Sequence, residues 1–282
     1  MLALTSGLVV QTLSGCAVEV ADAEQHAQAE TLAQAGSAAP AKFSFFVTSL
    51  RAMRELSKSA NGFGGDLRFG ETGENAGLRG ADKICASIAE ESMPGAGSKV
   101  WRAFLSTTKG GANGAPVHAK DRIGAGPWYD RTGRVVALTK ADLFQYRPAS
   151  ADTRIKNDLP NEDGVPNHDP DGTGQVDNHQ TLTGTNHNGE LFSKDLRFTC
   201  NDWTNAKADS IDSPRVGQSW LRAGFRAPAG NVGGYGHWLS SGNEAGCGAG
   251  VSIVEMGGPR ESNPTVGSGG GYGGFYCFAL AP

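Results

Sequence analysis

Apolar residues in this chain come in short bursts, separated by glycine and small polar residues. Phe43-Ser44-Phe45-Phe46-Val47-Thr48 combines aromatic and β-branched side chains and predicts a first strand. A Gly-rich, charged insertion follows at 61–75, and Gly77-Leu78-Arg79-Gly80-Ala81-Asp82 then opens a helix. Ala81, Ile84, Cys85, Ile88 and Ala89 recur at the spacing of one helical face, which points Cys85 into a core. Trp101-Arg102-Ala103-Phe104-Leu105-Ser106 alternates like a half-buried strand, and Asp121-Arg122-Ile123 reads as a short pairing segment. Residues 128–136 read as a hairpin around Asp130-Arg131-Thr132-Gly133. His237-Trp238-Leu239-Ser240, Val251-Ser252-Ile253-Val254 and Phe275-Tyr276-Cys277-Phe278-Ala279-Leu280 predict the closing strands. Residues 157–180 carry Asn, Asp, Gly and Pro with hardly an apolar residue, the pattern of a surface loop.

Two local signals stand out between these elements. Asn188-Gly189 suits a tight turn, and Trp203, three residues after Cys200, is large enough to anchor a small core. With 41 glycines, 38% hydrophobic and 8% aromatic residues, the 282-residue chain reads as loop-rich with short strands rather than as a helical bundle. The 25 Lys and Arg residues are scattered and the net charge is −4, which argues against a nucleic-acid partner. The six histidines show no metalloenzyme spacing and read as surface or turn residues. No Gly-x-Ser-x-Gly elbow lies between a strand and a helix, so a hydrolase or modifying enzyme is the weaker reading. A purely structural envelope protein is a further alternative.

The odd cysteine among five is Cys16. An apolar run leads into Leu13-Ser14-Gly15-Cys16, which resembles a bacterial lipoprotein lipobox, although no Lys or Arg precedes the cysteine. The resemblance implies a signal peptide over 1–16, diacylglycerol on the Cys16 thiol and attachment to a membrane through that lipid. Ala17, rather than Asp, after the cysteine implies delivery to the outer membrane or surface of a Gram-negative cell. Residues 17–42, rich in Ala, Gln and Glu, read as a flexible tether, leaving 43–282 as the folded domain.

The order of motifs in that domain carries a second resemblance. Gly80-Ala81-Asp82 with Cys85, Arg102-Ala103-Phe104-Leu105-Ser106, Gly184-Thr185-Asn186-His187-Asn188-Gly189, Cys200 with Trp203-Thr204, and Cys277 near the end together resemble the C-type-lectin-like fold, more closely its endostatin-like branch. The resemblance implies an α+β domain with short antiparallel strands, one or two helices and long Gly-rich loops. It also implies disulfides Cys85–Cys277 and Cys200–Cys247, one of the three pairings four cysteines allow. The first and last strands should pair, leaving the ligand face to the opposite loops. There Asn201, Asp202, Tyr235 and Tyr272 are the candidates for holding a glycan or protein.

The sugar-binding lectins' calcium motifs are absent: Asn201-Asp202-Trp203 has the letters of one in reversed order, and Glu261-Ser262-Asn263-Pro264 only looks similar to another. Asp169, Asp171, Thr173, Gln175 and Asp177 fall on the coordinating positions of a Ca2+ loop, with Gly174 at its sharp turn. Gln180 stands where that loop's bidentate carboxylate belongs, so the bland reading is a solvated turn.

Overall fold

A computed structural model describes residues 42–169, 178–220, 237–253 and 264–282. Lys42–Pro282 gathers as one unit, and its architecture is mixed α and β with small antiparallel sheets. Among the described residues no helix is long and apolar enough to cross a membrane.

Strand β1 (Phe45–Val47) leads into helix α1 (Leu50–Ser57), whose N-cap Ser49 accepts a hydrogen bond from the Ala52 amide. Helix α2 (Ala76–Ser92) follows, then strand β2 (Trp101–Ala103), the hairpin strands β3 (Trp128–Tyr129) and β4 (Val135–Ala137), and strands β5 (Gln180–Leu182), β6 (Arg215–Gln218), β7 (Gly242–Asn243) and β8 (Tyr276–Ala279). The last strand is the middle of its sheet. β1 and β2 flank β8 and both run antiparallel to it, so that Phe46 and Ala103 sit opposite Cys277 on either side.

Because side chains alternate across a strand, this one sheet divides the interior in two. Phe46, Trp101, Ala103 and Cys277 pack on the side of α2, while Phe45, Val47, Tyr276 and Phe278 pack on the other with Trp128 and Trp238. The α2 face is the one its periodicity predicts: Ala81, Ile84, Cys85, Ile88 and Ala89 are all buried. Cys85 is bonded to Cys277, joining the helix to the central strand across 192 residues of sequence. In the chain-entropy model that closure contributes about 5 kcal/mol, and Cys200–Cys247, separated by 47 residues, contributes about 4. Both disulfides are those implied by the lectin-like resemblance.

The helix sits close to its neighbours through glycine. A Cβ at Gly80 would lie 2.1 Å from the carbonyl oxygens of Leu67 and Arg68, so only glycine permits that contact. Asp82, two residues on, accepts from the Ala103 amide at 2.9 Å and from Arg122 Nη2 at 2.7 and 2.8 Å, tying helix, sheet and a buried guanidinium together.

Several expectations need correction. Asp121-Arg122-Ile123 is not a pairing segment. Ala119–Arg122 forms one helical turn, which carries Arg122 inward to Asp82 and the Ala103 carbonyl. Trp238 and Leu239 are buried but form no regular strand: Gln218 N donates to Trp238 O at 3.1 Å and Ser241 N to Val216 O at 2.7 Å, an irregular approach to β6. Ser252 makes a single bridge to Gly271, and Val254 lies outside the described residues. The sheet β5–β6–β7 had no signature of its own, since its strands are short and rich in polar residues and glycine.

The polar segment 157–180 is the largest departure. Leu159, Asn161, Glu162, Asn167, Asn178 and His179 are buried rather than solvated. Their polar atoms bond internally: Asn161 Oδ1 accepts from the Asp163 amide at 2.9 Å, Asn178 Nδ2 donates to the Asn167 carbonyl at 2.9 Å, and Glu162 accepts from the Ser49 amide at 3.0 Å and from its hydroxyl. Hydrogen bonding therefore replaces apolar contact as the reason its described parts, 157–169 and 178–180, fold inward. His179 and His237, read as surface or turn residues, are likewise buried.

Two of these groups titrate in opposite senses. Burial pushes Glu162 up to about 7 from 4.5, against the hydrogen bonds from Ser49; Arg51, 3.6 Å away, is half-exposed and its charge is screened by water. Burial, with His187, Arg147 and Arg215 nearby, pushes His237 down to about 3 from 6.5. Glu162 therefore contributes stability that is present below pH 4.5 and lost as pH rises through 7, whereas the contribution of His237 is present above pH 6.5 and lost as pH falls through 3. Between pH 4.5 and 6.5 the two slopes oppose each other. Relative to wild type, Glu162→Gln should make unfolding free energy rise with pH across that window by about 1.4 kcal/mol per unit, and His237→Gln should make it fall by a similar amount. Urea titrations at a series of pH values measure this; variants whose slopes match wild type would refute the assignment.

Candidate functional site

Cys200–Trp203 carries the most unusual backbone in the described chain. Cys200, Asn201, Asp202 and Trp203 have φ of 48°, 54°, 56° and 64°, four consecutive left-handed residues without a glycine among them. For L-residues this handedness costs roughly 1–2 kcal/mol each, somewhat less for Asn and Asp. The turn therefore needs restraint from outside itself, and it has several anchors. Cys200 is bonded to Cys247. The fully buried Trp203 indole donates to the Ser106 carbonyl at 2.8 Å. The Asp202 carboxylate accepts from the Thr108 amide at 2.7 Å and the Thr108 hydroxyl at 2.8 Å.

Helix α2 completes the seating. A Cβ at Gly77 would come within 2.3 Å of the Asp202 carbonyl and 2.7 Å of the Trp203 carbonyl, so glycine at the helix start lets the left-handed turn lie directly on it. Asn75, the residue before the helix, is also left-handed at φ 55°, and its Nδ2 donates to the Gly110 carbonyl at 3.0 Å rather than capping the helix. The segments 73–76, 109 and 201–204 thus converge on one cleft.

The cleft has a volume of about 440 Å3 and is lined by Glu74, Asn75, Lys109, Asn201, Asp202 and Thr204, together with Gly73 and Ala76. Glu74, Lys109 and Asn201 are exposed, and Asn201 Nδ2 donates to Thr204 Oγ1 at 2.9 Å. The lining offers amides, a hydroxyl and one exposed charge of each sign, groups that hydrogen-bond polar ligands. Among the described residues no three His, Cys, Asp or Glu side chains gather as a metal set.

Of the residues singled out from sequence, Asn201 and Asp202 line this cleft. Tyr272 does not: it is 1% exposed, and its hydroxyl lies 2.6 Å from the Thr48 carbonyl and 3.1 Å from Asn167 Oδ1. The Gly-rich loop around it folds into the interior, where the ring joins the core on the α2 side. Asp169 is half-buried, while Asp171, Thr173, Gln175 and Asp177 of the calcium pattern, with Tyr235 and Cys16, lie outside the described residues. Glu74, Asn75 and Lys109 were not anticipated. Their only sequence signal is the glycine-rich approach to the helix, which marks a loop without saying what it meets.

The left-handed turn sets a stability test. Asn201→Ala should cost about 1 kcal/mol, because alanine tolerates positive φ less well than asparagine, while Asn201→Gly should match wild type or exceed it. Denaturant unfolding of the two variants, with disulfides intact, should rank glycine above alanine; the reverse order would contradict this backbone. In comparisons with known proteins, no family model and no curated protein matches the chain.

Proposed function

We propose that the protein is a lipid-anchored binding module of the cell envelope, with a C-type-lectin-like domain that holds a glycan or protein ligand without chemically changing it. The observation that carries the binding role is the cleft between the left-handed turn and the start of α2, whose polar side chains stand on restrained backbone. Preorganised donors and acceptors lower the ordering cost of association, a condition for useful affinity toward hydroxyl-rich or peptidic partners. Support for the lectin-like reading comes from the two disulfides and from the pairing of the first and last strands, β1 with β8. The anchor rests on Leu13-Ser14-Gly15-Cys16 and the polar tether after it. In this reading the lipid holds the chain at the outer membrane and the tether presents the domain to its partner.

The test pairs location with binding. Full-length protein and a Cys16→Ala variant are compared for incorporation of a palmitate analogue in the producing cell, and each is applied to glycan and protein arrays. The expected result is labelling of the wild type alone, with the same array ligand bound by both. Asn201→Ala with Lys109→Ala should weaken that binding by roughly tenfold or more while leaving the fold intact. Equal labelling would remove the anchor, and binding indifferent to the paired substitution would remove the cleft.

A further inference from the structure

Arg147 is a buried cation whose best hydrogen-bonding edge is unused. It follows the one-turn helix Lys140–Leu143 and is 5% exposed. Its Nη1 donates to the Gln218 carbonyl at the end of β6, whereas Nε and Nη2, both closed off from solvent, have no acceptor among the described residues. These two nitrogens form the side-on edge of the guanidinium, a pair of parallel N–H groups that matches the two oxygens of a carboxylate. A buried donor left unpaired is costly, and a buried charge more so. Burial lowers Arg147 only to about 10, so the group stays charged at neutral pH.

The neighbours narrow what that edge can accept. Tyr146 is half-buried, with its ring 6.0 Å from the Arg147 guanidinium carbon. His237 lies 5.8 Å from Tyr146 and 6.1 Å from His187, and remains uncharged at neutral pH. Asp158 supplies an unsatisfied acceptor: among the described residues its buried Oδ1 has no donor, and its Oδ2 is 2.7 Å from His168 Nδ1. Asp158 is bridged to Trp220, two residues beyond Gln218, and its charge acts on Arg147 without a salt bridge between them. The Arg147 edge and Asp158 Oδ1, both without a partner among the described residues, are thus brought to Gln218 and Trp220, two residues apart in the chain. The nearby Asp158 carboxylate repels a dianion more than a monoanion, and the planar edge suits a planar oxyanion better than a tetrahedral one.

We propose that Arg147 is the anchor of a second binding site, separate from the cleft, for a small monocarboxylate, with Asp158 Oδ1 accepting from a hydroxyl on the same ligand. Lactate carries both groups, acetate only the first, and inorganic phosphate is tetrahedral and partly dianionic at neutral pH. Because the Arg147 edge is enclosed, the ligand enters through local opening and exchanges slowly.

The full chain, labelled with 15N at arginine, is titrated with sodium lactate, sodium acetate and sodium phosphate at constant ionic strength, following the Arg147 Nε–H resonance. A new resonance in slow exchange with lactate, weaker with acetate and absent with phosphate, is the expected result. Arg147→Lys keeps the charge but not the edge, and should lose the lactate-induced rise in Tm, with affinity down roughly tenfold or more. An Arg147 resonance unmoved by either carboxylate would overturn the proposal and leave Arg147 a structural cation. Equal response to phosphate would overturn the carboxylate assignment. Should Arg147→Lys fail to fold, the wild-type titration decides the question alone.

Discussion

The bond between Cys85 and Cys277 is the constraint around which the domain closes. It joins the buried face of α2 to the middle strand of the three-stranded sheet, and that strand is the last element of the chain. β1 and β2 complete their pairing only when β8 lies between them, so neither interior layer can close before the C-terminal strand arrives. Formation of this sheet depends on contacts between residues far apart in sequence, and a covalent link across that distance lowers the entropy of the unfolded chain.

The second disulfide acts on a smaller scale with a different result. A run of four left-handed residues is unfavourable locally, yet Cys200–Trp203 holds one because its two ends are fixed: sulfur to Cys247 at the first residue, buried indole to Ser106 at the last. Asp202 is held between them by Thr108. Strain of this kind persists only where surrounding structure over-determines it, and such places are often binding sites. Here the turn projects Asn201 outward while its carbonyls rest on Gly77 of α2. A fixed backbone with an exposed amide side chain is the physical basis for proposing a ligand at this end of the helix.

Elsewhere the interior holds many polar side chains, in keeping with the modest apolar content. Glu162, Asn161, Asn167 and Asn178 fill space that a hydrophobic core would occupy, with Ser49 and Tyr272 among their partners. Glu162 has its acidity weakened by burial and His237 its basicity, so the domain carries two groups whose pH responses partly cancel. Arg147 belongs to the same polar interior, and its Nε–Nη2 edge has no partner among the described residues.

By itself the sequence determined what depends on local pattern. The helical face through Cys85 was legible because five apolar residues repeat at helical spacing, and the strands at Phe45–Val47 and Tyr276–Ala279 because aromatic residues cluster there, with β-branched ones beside them in the first. The hairpin between Trp128 and Val136 was legible from its Asp-Arg-Thr-Gly turn, and Trp203 as a core anchor from its size. The disulfide pairs were implied by motif order rather than by any local rule. Tertiary structure decided the rest. Residues 157–169 turned inward because polar atoms such as those of Glu162 and Asn167 found partners in Ser49 and Tyr272, far away in sequence, which composition cannot register. The strands of β5–β6–β7 exist through mutual pairing, Tyr272 left the proposed ligand face because its glycine loop packs inward, and Glu74 and Lys109 reached Asn201 only because the left-handed turn lies on Gly77. In each case the deciding energy is a contact between distant residues, and no local window of sequence contains both partners.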